Sequence, residues 1–250
     1  MKFLTSVTAA AALALLATGA SAQSAKFDAS WSDTAVSAHA KAEWVGDNTT
    51  GGPTCVEGSG LGTIADPCLA YNAAMTVASL HVAQQKDLLI GVSAEITILT
   101  LTQAKGKSDT VALGQALAEA GVKVSLELRD ADGNSGGTGA LAQVAAPGEV
   151  TFAARTQELK VGVTDTDTDF LTEVIVSLKL ETTAAHHFNF LGVDLDQGDY
   201  DVVANFNLSA LAGVLGESAV AEAMVVVNKR MVTVQEVRAA KDSLTALSVD

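Results

Sequence analysis

The chain is poor in the residues that most often mark a site. Aromatics make up 4% of its 250 residues: two tryptophans, two tyrosines and seven phenylalanines. It has four histidines, three prolines and two cysteines. Positive charge is also scarce, with 15 Lys and Arg against 29 Asp and Glu and a formal net charge of −14. Each shortage excludes something. So acidic a surface repels phosphate backbones and anionic lipid, which excludes nucleic acid and basic-patch membrane binding as leading functions. No G-x-S-x-G occurs, so the turn that exposes a hydrolase serine is missing. No H-E-x-x-H occurs either, and the adjacent His186 and His187 would point to opposite faces of a strand. His39 and His81 stand alone. These absences read as a protein that is not an enzyme. The aromatics are too few for the girdles of an outer-membrane barrel. Beyond the first 22 residues no apolar run is long enough for a transmembrane helix.

What is present is apolar material: 48% of residues are hydrophobic and 18% charged, enough to fold around a sizeable core. Residues 1–22 read as a signal peptide outside that fold. Lys2 is the charged start, residues 4–18 the apolar run, and Ala20-Ser21-Ala22 the small-residue cleavage site, with the mature chain starting at Gln23. This places the protein in the periplasm, at the cell surface or outside the cell. Cys55 and Cys68 fit that compartment and read as one disulfide closing a short loop, worth about 3 kcal/mol by chain entropy. Within that loop, Gly60-Leu61-Gly62-Thr63-Ile64-Ala65 matches a loose dinucleotide pattern. Its place between two paired cysteines, just before Pro67, reads as loop instead.

Beyond residue 70 the dominant pattern is alternation with period 2, the mark of half-buried strands. Leu88, Ile90, Val92, Ala94, Ile96 and Ile98 share a face, after which Leu99 and Leu101 predict a bulge or a change of sheet. Val122 to Leu128 alternate, as do Val174, Val176, Leu178 and Leu180, and Tyr200, Val202, Ala204, Phe206 and Leu208. Val150, Phe152 and Ala154 give way to Leu159, Val161 and Val163 in the opposite phase. Residues 219–227 and 231–237 read as a hairpin around Asn228-Lys229. Residues 110–120 fit a strand or a short helix. Turn residues at 130–134, 146–148 and 197–199 space the strands about ten residues apart. The fold expected is an all-β antiparallel sandwich, Ig-like or jelly-roll-like, with nine or ten strands. Its parts are an N-terminal strand or arm at 23–45, a disulfide loop at 46–70 and a sandwich at 71–250. Two small sandwiches dividing near Gly136-Gly137 are the alternative.

Four stretches carry a further likeness: residues 85–93 (QKDLLIGVS), 118–124 (AEAGVKV), 147–152 (PGEVTF) and Phe188-Asn189-Phe190. In these the chain resembles a group of exported bacterial proteins with no assigned activity, over about residues 80–240. The resemblance implies an all-β fold and transfers no functional residue.

Three ligand readings remain. Asp165, Asp167 and Asp169 alternate, so an extended backbone presents three carboxylates on one side, hard oxygen donors suited to Ca²⁺. Phe170 stands where an EF-hand loop has glycine, which leaves solvated loop as the competing reading. Asp130, Asp132 and Asn134, and Asp194, Asp196, Asp199 and Asp201, are weaker versions of the same idea. Glycan binding needs exposed aromatic platforms, for which Trp31, Trp44, Tyr71 and Tyr200 are available. Residues 23–45, with small Ala38, Ala40 and Ala42 and the anchor Trp44, read either as a first strand or as an arm. Given to a neighbour, such an arm builds a homo-oligomer or filament. The function expected is a structural or surface-assembly role, with extracellular ligand binding as the alternative.

Overall fold

In the computed structural model, the described residues are 26–46, 50–83, 86–107, 114–131, 139–162 and 173–237. They form eleven strands and no helix. In chain order these are β1 (Phe27–Ser32), β2 (Val36–Val45), β3 (Gly52–Glu57), β4 (Cys68–Val82), β5 (Lys86–Lys107), β6 (Gly114–Asp130), β7 (Leu141–Val144), β8 (Val150–Val161), β9 (Glu173–Leu195), β10 (Gly198–Leu215) and β11 (Val220–Val237). The count is slightly above the nine or ten expected, and the all-β antiparallel sandwich stands.

The first sheet runs β3-β2-β11-β5-β9, with β1 continuing the line of β2 along β11. The second runs β4-β10-β6-β7, with β8 beside β6. Strands from both sides of residues 136–137 therefore mix within each sheet, as β5 with β11 and β6 with β10. The described residues make one sandwich rather than two in series.

Between the sheets lie the alternating residues that the sequence singles out. Ile90, Ile96, Leu126, Leu128, Leu208 and Phe206 are fully buried, each contributing about 1.5–3 kcal/mol by leaving water. Phe206 meets Phe152 edge-on, with ring centroids 6.4 Å apart. The disulfide is formed: Cys55 of β3 joins Cys68 of β4, so it staples the first sheet to the second. Such a bond belongs to an oxidising compartment.

Four local expectations are settled by the strands. Residues 114–120 are strand, not helix, because they pair with β8 and β10 on either side. The phase change in β8 is a bulge at Phe152, where the register against β6 slips between Val122 and Lys123. The phase change expected at Leu99 does not occur. β5 keeps its inward face through Thr100, Thr102 and Ala104, all fully buried, and Leu99 and Leu101 lie on the outer face. Nor do residues 219–237 form a hairpin. They are the single strand β11, bulged between Val227 and Lys229, since both halves pair with the unbroken β5.

The buried threonines are possible because of a partner from the other sheet. Gln157 of β8 accepts from Thr100 Oγ1 at 2.8 Å. Its amide donates to Thr102 Oγ1 and to the Leu178 carbonyl, each at 2.7 Å. Buried hydroxyls that are paired in this way cost little.

Candidate functional site

A sandwich has two flanks where sheet edges face solvent, and unpaired edge N–H and C=O groups there invite another strand. On one flank β1 and β2 lie against β4, and side chains occupy the edge. Asp28 accepts from the Ser79 N–H at 2.9 Å, Lys26 donates to the His81 carbonyl at 2.8 Å, and Asn72 donates to the Ser37 carbonyl at 2.8 Å. Arg230, just past the bulge of β11, donates to Thr76 Oγ1 at 2.9 Å and to the Thr34 carbonyl at 2.8 Å. Burial lowers the guanidinium pKa below its usual value. The disulfide completes this closed flank.

The other flank, β8 against β9, is open. β9 is 23 residues long and takes β5 as its partner on one side. Its C-terminal part is capped: Leu191 exchanges two hydrogen bonds with Ala146, at 2.8 and 2.9 Å, and the Gln143 amide brackets the Val193 backbone at 3.1 and 3.2 Å. From 173 to 187 no described strand pairs with the outer edge. The inward-facing Val176, Leu178 and Leu180 of this stretch remain 38%, 43% and 44% exposed. Arg155 reaches across from β8 to Thr182, and Gln157 to Leu178, but neither covers the leucines. The stretch has no proline and no bulge, two of the devices that blunt natural edges. The free side of β8 carries the Phe152 bulge, and β3 is short and contains Pro53.

A second feature lies on the outer face of the first sheet. A groove of about 370 Å³ runs beside the β11 bulge, lined by Trp31, Ser93, Glu95, His187, Lys229 and Met231 among others. Trp31 is 75% exposed. His187 is fixed by Ser93 at 2.8 Å and Asn189 at 3.0 Å.

The residues singled out from sequence are dispersed. Asp165, Asp167 and Asp169 lie outside the described residues, as do Asp132, Asn134 and the signal segment 1–22. The 194–201 acids are not gathered at one point. Asp199 contacts His81 Nδ1 at 2.6 Å, Asp201 accepts from Ser79 at 2.6 Å, and the Asp196 carbonyl accepts from Tyr200 at 3.1 Å. Among the described residues no group of three or more His, Cys, Asp or Glu could hold a metal. Of the aromatic platforms, Trp31 and Tyr71 are exposed, Trp44 is half-buried and Tyr200 is buried, so Tyr200 is no platform. Burial, with Asp130 and Asp196 nearby, raises the Tyr200 phenol above its usual pKa. His186 and His187 do face opposite ways, inward and outward. Gly60 and Gly62 have positive φ in a loop, with no helix after them. Residues 27–32 and 36–43 pair with the chain's own β11. Ala38, Ala40 and Ala42 are buried in its core.

No family model matches the chain, and no curated protein matches it. Among solved structures it aligns with the structure of infectious bursal disease virus Gx strain at 9% identity. The alignment covers 89% of this chain and 67% of that one, with a TM-score of 0.14, a likeness that carries no argument. Among the described residues no helix is long and apolar enough to cross a membrane.

Proposed function

We propose that this is an exported, non-enzymatic sandwich protein with a structural role in surface assembly, and that the open β9 edge is its assembling surface. The observation that carries the reading is the stretch 173–187, which no described strand caps, with Leu178 and Leu180 left in water beside it. The edge carries Lys179 and Glu181 but no proline or bulge, and isolated monomers seldom leave so long a straight edge with apolar side chains in water beside it. Export, with cleavage after Ala22, is part of the same reading and is supported by the segment's composition and by the disulfide. The exported protein is expected to self-associate in analytical ultracentrifugation at micromolar concentration. A single monomeric species up to high concentration overturns the reading.

One observation favours a second reading, an extracellular ligand-binding module. The exposed Trp31 indole beside Glu95, Lys229 and His187 offers an apolar face with polar groups around it, the combination a sugar ring uses. Binding on a glycan array that Trp31→Ala abolishes is the result expected of it. Calcium at Asp165, Asp167 and Asp169 belongs to this reading as well. It predicts a higher melting temperature in millimolar Ca²⁺, lost in Asp167→Asn.

A further inference from the structure

Resting on the assembly reading, we infer that the partner of β9 is β9 of a second copy, paired antiparallel about a two-fold axis at Leu180. The backbone sets the first condition. Leu191 turns its N–H and C=O outward to Ala146, and the register of β9 against β5 is unbroken from there down to 173. Strand alternation then makes the odd-numbered residues the ones whose backbone groups face outward. Pairing centred on Leu180 sets Lys179 opposite Glu181 of the second copy as a hydrogen-bonding pair, and Glu181 opposite Lys179.

Side chains set the second condition. About Leu180, the outer face brings Lys179 to Glu181 twice, Ser177 to Thr183 and Ile175 to Ala185. On the inner face Leu180 meets its own copy, Leu178 meets Thr182 and Val176 meets Ala184. The exposed Val176, Leu178 and Leu180 are thereby covered by the second copy. Moving the centre to 181 sets Glu181 against its own copy, and moving it to 179 does the same to Lys179. Either shift replaces both charge pairs with a like-charge contact. Opposite charges directly across a strand pair stabilise it, and like charges destabilise it. The span ends at 187, short of the Ala146 cap at Leu191, so the cap leaves the pairing intact. An interface that maps onto itself closes as a dimer and does not propagate. On this reading the copies meet through β9, not through the N-terminal segment, as a two-fold pair with one sheet running through both.

Charge reversal tests the register. In Lys179→Glu, and separately in Glu181→Lys, both cross-copy contacts become like-charged. Each variant should dissociate at least about tenfold more readily than the parent in sedimentation, with a nearly unchanged melting curve when dilute, because the Lys179–Glu181 pair within each copy is exposed and 3.9 Å apart. When the two variants are mixed, one copy carries acids at both positions and the other carries lysines at both. Every cross-copy contact is then opposite in charge again, so a mixed dimer should return at parental strength. The double variant should also pair normally. Self-association that neither reversal disturbs overturns this register while the assembly reading stands. A parent chain that stays monomeric overturns both. Reversals that weaken pairing without rescue on mixing also overturn the register.

Discussion

Along the β1–β2–β4 flank, exposed backbone groups meet a side chain, and a disulfide crosses from sheet to sheet. Along β8–β9, the same kind of strand ends in water with leucines beside it. Composition does not separate the two: both flanks are built from alternating apolar residues. The difference lies in the reach of a few polar side chains. Asp28, Lys26 and Asn72 meet the backbone of one edge, whereas Gln157 and Arg155 on the other bridge β8 to β5 and β9 from the inside and leave the outer edge of β9 bare. A flank can thus be closed within the chain, or left for another molecule to close.

Breaking the closed flank at its strongest link should have the largest effect. Replacing Cys55 and Cys68 together by alanine should cost about 3 kcal/mol, the chain-entropy value for a loop of this size, read as a lower denaturation midpoint. Thiol titration of the denatured, unreduced parent should find no free cysteine. On the open flank, Gln157→Ala strands the hydroxyls of Thr100 and Thr102 in the core. It should cost about 2 kcal/mol, while Thr156→Ala, exposed beside it, should cost little. If Gln157→Ala is neutral, the polar seam does not stabilise that flank. Asp28→Ala frees the Ser79 N–H to water and should cost about 1 kcal/mol, and it should raise hydrogen exchange along β4 but not along β9.

The smallest effect concerns Tyr200, near the start of β10. Because the fold raises the Tyr200 pKa, the unfolded chain gives up this proton first. Its contribution is complete below about pH 10, the unfolded value, and declines as pH rises through the folded value. The melting temperature should therefore fall more steeply above about pH 10 in the parent than in Tyr200→Phe. Equal slopes overturn this.

Much of the fold was legible because residues 88–98 of β5, 122–128 of β6 and 200–208 of β10 alternate with mostly bulky apolar residues. β4 was harder to read, since its inward positions are Ala74, Thr76 and Ala78, and small residues barely register as a face. Thr100 and Thr102 broke the pattern of β5 because their partner, Gln157, lies more than fifty residues away. No local rule could anticipate a buried hydroxyl satisfied from the opposite sheet. Asn228-Lys229 looked like a turn and proved to be a bulge, because the neighbouring β5 runs straight past it. The candidate surface was hidden for a related reason. Val176, Leu178 and Leu180 read as a core face, and sheet order alone shows that their strand is the last in its sheet. The groove at Trp31 draws on β1, β5, β9 and β11, strands too distant in sequence for any motif to join them.

The position of β11 bears on how the molecule comes into being. It sits in the interior of the first sheet, and both β1–β2 from the N-terminal region and β5 hydrogen-bond to it, with Val36 meeting Val227. Among the described strands β1 has no other neighbour in its sheet, and β2 with β3 joins the rest of that sheet only through β11. The earliest strands to be made thus wait for one of the last. Pairings of such long sequence separation are slow to form, so the core stays open during synthesis. A polypeptide that cannot finish its first sheet until β11 is made keeps its earliest strands unpaired, and ready to stay extended, until nearly the whole described chain is available.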